Sequence, residues 1–364
     1  MRRLNDTIRR LRANLPSAGS VGSAPRSTRL QPFAMARPNP GALSAKAFVP
    51  TGGSGVPLVV VLHGCTQTAD GYDVGAGWSA VAERNGFAVL LPEQSVGNNP
   101  NRCFNWFQPG DTRRDSGEAL SIRNMVAEMV ERRAIDPARV FVTGLSAGGA
   151  MASVMLAAYP EVFAGGAIIA GLPFGTADTI PQAFDRMRGH GLPDAAQLGR
   201  LVAQASGHAG PWPTVAVWHG SADATVSQSN AEAILDQWRA LHGVAAAPDR
   251  RDIVDGAVRR QWADAGGRVC LEDYRITGMG HGTPLTSTGT GACGSPMPYM
   301  LDVGISSTWH IASSWGLVDP SSGDLAIADE PVARDREPSS PPMPHAIDVQ
   351  ATIEQALRSA GLMR

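Results

Sequence analysis

"VFVTGLSAGGAMAS", residues 140–153, decides the fold. An apolar, β-favouring run stops at Gly144, one serine follows between small residues, and an alanine-rich stretch begins. Gly144-Leu145-Ser146-Ala147-Gly148 fits G-x-S-x-G, the pattern that turns a strand sharply into a helix with a serine at the corner. Glycines flank the serine because so tight a turn leaves no room for neighbouring Cβ atoms, and the serine itself sits in a strained conformation. The gain is exposure: Oγ projects from the carboxyl end of a sheet, and the helix N-terminus behind it favours negative charge on a reacting oxygen. A glycine-rich helix entry with a capping serine is the plainer alternative. The strand before the pentad and the small-residue helix after it argue against that.

Outward from this corner the same alternation repeats. "PLVVVLHG" (57–64), "GFAVLLPE" (86–93), "RVFVTG" (139–144), "GGAIIAG" (165–171) and "PTVAVWHG" (213–220) are short apolar runs ended by turn residues. "CLEDYRITG" (270–278) alternates more and is expected nearer an edge. Helices are expected at "WSAVAERN", at 116–134 behind a Ser116 cap and before an Asp136-Pro137 turn, and at 229–243 up to a glycine stop. Strands buried on both faces and alternating with helices indicate the α/β class, a mostly parallel central sheet with helices on both faces.

The domain organisation follows from composition. Residues 1–35 read as an extension, with Leu4, Ile8, Leu11 and Leu15 at helical spacing among arginines. Such a helix either binds a membrane or granule surface or docks on its own domain. Residues 36–317 form the catalytic domain, 318–344 a Pro/Ser/acid-rich linker, and 345–364 a short helix capped by Asp348. The apolar content of 43% against 18% charged supports a sizeable core, and a net charge of −2 gives no footing for a nucleic-acid partner. No run is apolar and long enough for a transmembrane segment. The basic N-terminus lacks an apolar h-region, which points to a cytoplasmic home. Nothing in the pattern fixes an oligomeric state.

A serine hydroxyl needs a base, and the base needs an orienting acid, here in the chain order Ser, Asp, His. His281 stands in "ITGMGHGTP", a glycine-lined loop after a strand, and Asp223 in "VWHGSADATVS", also after a strand. His219 is the rival base, but its place on the strand end fits a local hydrogen bond. Two N–H donors must hold the oxyanion. Ala147 supplies one by position, and Cys65, after Gly64 on the loop following "VVVLHG", supplies the other. Cys65 as a nucleophile is the alternative, with no histidine placed as well for it. His63 is assigned to the substrate-facing region as a structural residue of the oxyanion loop. Trp106, in "CFNWFQPGD", either walls an acyl or alcohol pocket or covers the core, where Phe104 and Phe107 are expected. Residues 172–212 are expected to form helices over the site.

"LHGCTQTADGYDVGAGWSAVAERNGFAVLLPEQS", "NRCFNWFQPGDTRRDSGEALSIRNMV", "DPARVFVTGLSAGGAM", "WHGSADATV" and "GMGHGTP" resemble the polyhydroxybutyrate depolymerase-type esterases, α/β-hydrolases similar to feruloyl and acetylxylan esterases. The resemblance spans roughly residues 40–316 and puts the family's triad motifs on Ser146, Asp223 and His281. It implies carboxylic-ester hydrolysis through an acyl-serine, no metal and no cofactor, with an ester or polyester as the partner, and it allows an extracellular location. The chain shows no Thr-rich linker and no separate polymer-binding domain, which favours hydroxyalkanoate oligomers over crystalline polymer. Feruloyl and acetylxylan esters are the alternative substrates. A peptidase and a catalytically silent binding module are the alternative functions.

Four cysteines complete the reading. Cys65 and Cys103 lie on loops at the carboxyl edge of neighbouring strands, within reach of a bridge that would pin the oxyanion donor to the pocket wall. Cys270 and Cys293 flank His281, where a bridge would tether the histidine loop. Four reduced thiols are the alternative, as a cytoplasmic compartment would require.

Overall fold

The structure, a computed structural model, describes residues 28–52 and 54–319, all within one compact unit. The N-terminal basic helix, nearly all of the linker and the terminal helix expected from sequence lie outside the described residues.

The chain opens with β1 (Gln31–Pro32), β2 (Ser44–Phe48) and β3 (Val56–Leu62), then α1 (Ala69–Ala76), α2 (Trp78–Asn85) and β4 (Ala88–Glu93). A single turn, α3 (Pro109–Thr112), precedes α4 (Gly117–Arg132), β5 (Ile135–Leu145) and α5 (Ala147–Ala158). Next come β6 (Gly165–Ile169), α6 (Ile180–Met187), α7 (Ala195–Ala203), β7 (Thr214–Gly220) and α8 (Ser229–His242). The remainder is β8 (Arg250–Val254), β9 (Ala257–Ala263), β10 (Val269–Ile276), β11 (Thr283–Leu285), β12 (Met300–Asp302) and α9 (Ser307–Ser314).

Ten strands form one sheet in the order β1-β2-β4-β3-β5-β6-β7-β10-β9-β8. The six from β4 to β10 are parallel, and antiparallel pairs close both margins. β10 therefore lies two strands in from the edge, covered by β9 and β8. Those two make a tight hairpin in which Asp255 and Gly256 both have positive φ (46° and 80°), the geometry that matches the twist of paired strands.

The apolar runs are buried on both faces, as a parallel sheet requires. Along β3, Leu58, Val60 and Leu62 enter one core and Val59 and Val61 the other. Register aligns the carboxyl ends, with Leu62 opposite Gly144, Gly144 opposite Ile168, and Ile169 opposite Trp218. The loops leaving those ends share one rim, where the site is built. Asp136-Pro137 lies inside β5 rather than ending a helix, and Gly243 stops α8 with φ 65° as expected. Ahead of residue 36, β1 pairs with β2, Leu30 is buried, and Phe33 and Met35 pack on the core. No helix among the described residues is long and apolar enough to cross a membrane.

Candidate active site

β5 runs into α5 through Ser146, whose backbone takes φ 56° and ψ −118°. A serine held at positive φ is strained, and the surroundings enforce it. Its N–H donates to Ile169 O at 2.9 Å, and α5 behind it is buried along its whole length. The flanking glycines are sites of close approach. A Cβ on Gly144 would stand 2.4 Å from Gly148 O, and one on Gly148 would stand 2.2 Å from Leu62 O.

Asp223 follows β7 and His281 follows β10. The two loops are laced together by Ser221 N–H to Ile276 O, Ala222 N–H to Met279 O and Gly278 N–H to Ser221 Oγ, each 2.9 Å. This lacing brings the side chains together: His281 Nδ1–H donates to Asp223 Oδ2 at 2.7 Å. Asp223 Oδ1 accepts from Thr225 N–H (2.8 Å) and Val226 N–H (2.9 Å), and its side chain is fully buried. Burial alone would raise this carboxyl's pKa. The bond and charge of His281 and the Val226 N–H outweigh it and hold the pKa below the ordinary value. With Nδ1–H engaged, Nε2 of His281 keeps its lone pair.

His219, the rival, is buried and 3.5 Å from Asp223 Oδ2. Its Nε2–H donates to Val226 O at 2.9 Å, so it braces the Asp223 loop from behind, and burial lowers its pKa.

The loop carrying Gly64 and Cys65 is organised by His63. This residue is 1% exposed and lies behind the loop as a structural support. Gln94 N–H donates to Nε2 (3.1 Å), which fixes the tautomer, and Nδ1–H donates to Gly64 O (2.7 Å). Gly64 O and Cys65 N–H belong to one trans peptide, so holding the carbonyl aims the N–H the opposite way. Among the described residues no hydrogen bond occupies the N–H of Cys65 or of Ala147.

Cys65 and Cys103 form a disulfide with Cα atoms 4.3 Å apart. Cys270 and Cys293 do not pair, which corrects the second bridge. The sheet separates them: Cys270 belongs to the core on one face and Cys293 to the core on the other. Trp106 is 9% exposed and packs in a small cluster with Ala147, Leu172, Ala183 and Val226, so it joins the start of α5 to α6. Phe104 is core, against the His63 ring.

Three polar residues of the site's frame are not evident from the sequence: Gln94, Asn105 and Glu118 are all buried, and the first two both donate to Glu118.

The family model described as "Esterase PHB depolymerase" matches residues 43–260. Poly(3-hydroxyalkanoate) depolymerase C of Paucimonas lemoignei is 46% identical over 283 residues, 77% of this chain and 68% of that protein. Acetylxylan esterase A of Aspergillus oryzae is 32% identical over 228 residues, 60% of this chain and 73% of that protein. Among solved structures, an acetyl xylan esterase from Aspergillus awamori superposes with a TM-score of 0.67 at 24% identity, covering 80% of this chain and all of that one, which shows a shared α/β-hydrolase fold. With a strand-to-helix serine corner and its ordered loops in place, the chain belongs to the esterase PHB depolymerase family of α/β-hydrolases.

Proposed function

We propose that this carboxylic-ester hydrolase works through Ser146 as nucleophile, His281 as base and Asp223 as its orienting acid, on hydroxyalkanoate oligomers or polyesters. The observation that carries the reading is the 2.7 Å His281–Asp223 bond on loops laced beside the Ser146 corner. Ser146 Oγ attacks the ester carbonyl and gives its proton to His281 Nε2. The tetrahedral oxyanion takes hydrogen bonds from the N–H groups of Cys65 and Ala147. Asp223 stabilises the imidazolium without taking the proton, and His281 returns that proton to the departing alcohol. Water then repeats the cycle on the acyl-serine. The substrate class is supported by the identity to a poly(3-hydroxyalkanoate) depolymerase, which exceeds that to the acetylxylan and feruloyl esterases among the relatives.

The proposed catalytic domain is residues 36–317, and β1, at Gln31–Pro32 in the preceding extension, pairs with its first strand. Two measurements test the assignment. Folded Ser146→Ala protein loses nitrophenyl-ester turnover and labelling by a fluorophosphonate; retained turnover overturns the nucleophile. A panel of hydroxybutyrate oligomers, feruloyl sugars and acetylated xylan, ranked by kcat/KM, places the hydroxybutyrate oligomers first. Preference for either of the other two overturns the substrate class.

A further inference from the structure

We propose that Glu118 is a positioning residue for ester hydrolysis, acting through Gln94 and His63 to aim the Cys65 N–H and through Asn105 to hold the loop that carries Trp106. The proposal rests on the reading of Cys65 N–H as an oxyanion donor.

Glu118 lies in the first turn of α4 and is 1% exposed. Burying a carboxyl group is costly unless donors surround it. Its donors come from the loops beside the serine, not from its own helix. Oε1 accepts from Gln94 Nε2 and from Asn105 Nδ2 (2.8 Å), and Oε2 accepts from Asn105 N–H (2.9 Å). Gln94 is wholly buried and is the first residue after β4. Its Nε2 also donates to Cys103 O (3.2 Å), and its Oε1 accepts from Ser95 N–H (3.0 Å). With the amide so held, the Gln94 N–H meets His63 Nε2, and His63 Nδ1–H meets the Gly64 carbonyl. The path from Glu118 to the Gly64–Cys65 peptide is therefore one continuous chain of buried hydrogen bonds. Asn105 forms the second branch. It sits between Cys103, bridged to Cys65, and Trp106, packed near Ala147. One carboxyl group thus fixes both walls that meet at the oxyanion position. Catalytic donors must be held to a fraction of an ångström to discriminate the transition state from the ground state.

Glu118→Gln keeps the side chain's size but replaces one oxygen with an amide nitrogen, which cannot accept a hydrogen bond as either oxygen of the carboxyl can in its charged or protonated form, so at least one bond to a loop is lost. In folded E118Q protein, kcat for a short nitrophenyl ester falls about 10- to 100-fold while KM stays within about threefold. Affinity for a trifluoromethyl ketone falls in parallel with kcat. That probe reports the donors because Ser146 Oγ adds to its carbonyl and leaves an oxyanion, the proton passing to His281. Gln94→Ala reproduces the pattern. The double variant is little worse than the poorer single, because both cut one path. Wild-type kcat and ketone affinity in folded E118Q overturn the proposal, as do a loss confined to KM and multiplicative losses in the double variant. If E118Q does not fold, Q94A alone decides on the same readouts. Turnover surviving in Ser146→Ala sinks the underlying reading. An inactive Ser146→Ala beside an unaffected E118Q sinks this inference alone.

Discussion

Gly148 and Leu62 are in backbone contact: a Cβ on the glycine would stand 2.2 Å from the Leu62 carbonyl oxygen. This contact joins the first turn of α5 to the end of β3, so the nucleophile's helix and the oxyanion loop share one boundary. Even a methyl group there must push the two apart. Gly148→Ala is expected to cut kcat by at least about 100-fold and to cost on the order of 1–3 kcal/mol of stability. Chemical denaturation and nitrophenyl-ester kinetics on the purified variant check both figures, and near-normal kcat would show that the boundary yields without consequence.

Asp223→Asn keeps the side chain's shape but disturbs the partner that selects the Nδ1–H tautomer of His281. A kcat loss of about 10³- to 10⁴-fold is expected with little change in Tm. Steady-state kinetics beside a thermal melt make the comparison. A loss smaller than about tenfold would mean that another group orients the imidazole, His219 being the nearest.

The carboxyl of Glu118 has its pKa pushed up to about 8, by burial first, with Asp111 adding to it and the Asn105 and Gln94 donors opposing. A folded-state pKa above the ordinary 4.5 means that folding takes up a proton between these values. The contribution to stability is complete below about pH 4.5 and is lost as pH rises through about 8. Glu118→Gln removes that slope. The unfolding free energy of the variant relative to wild type is expected to improve by up to a few kcal/mol between pH 5 and pH 9. Urea titrations at several pH values read it directly, and parallel curves for the two proteins would contradict it.

The Cys65–Cys103 bridge closes a segment of sequence separation 38 and contributes roughly 3–4 kcal/mol by loop closure. Its removal frees the oxyanion loop from the aromatic loop, so activity is expected to fall at reductant or temperature settings where the fold still stands. Activity and near-UV circular dichroism followed together during reduction test the order of events. Simultaneous loss would make the bridge a global brace only. Thiol counting in denatured, unreduced protein should return two, from Cys270 and Cys293.

Trp106 is both wall and filler. At 9% exposure, truncation to Ala leaves a cavity and costs about 3–5 kcal/mol, so chain-length preference is better probed with Trp106→Phe. That variant is expected to shift kcat/KM among acetate, butyrate and octanoate nitrophenyl esters by severalfold, with a smaller drop in Tm. Uniform change across the three esters would assign the ring to the core alone.

Much of this was legible in the sequence for a physical reason. Strands buried on both faces read as unbroken apolar runs, and a serine corner demands its glycines, so β3, β5 and the elbow declare themselves. His281 and Asp223 stand out as candidates because both lie on strand-end loops, and the structure brings their side chains together. The sheet margins were less so. β8 and β9 are short, charged strands whose only plain mark is the Asp255-Gly256 turn. The Cys270–Cys293 pairing failed because sequence spacing says nothing about which face of a sheet a residue meets. Glu118 was hidden because a buried carboxyl looks like any first-turn acid until its donors, 13 and 24 positions away, are folded against it.

The segment between β6 and β7 is held to the fold unevenly. Residues 172–212 leave the sheet at one strand end and return at the next, and α6 buries only Ala183 in doing so. The serine is anchored to β6 through Ile169, and the acid and base loops are laced to each other. Neither attachment passes through α6. The segment thus has two halves of unequal tolerance: α7 buries Leu198 and keys Val202 into the core, whereas α6 leaves every residue but Ala183 at least partly open to solvent. Its exposed positions are the natural place to remodel what lies around Trp106 while the frame of the sheet keeps its packing.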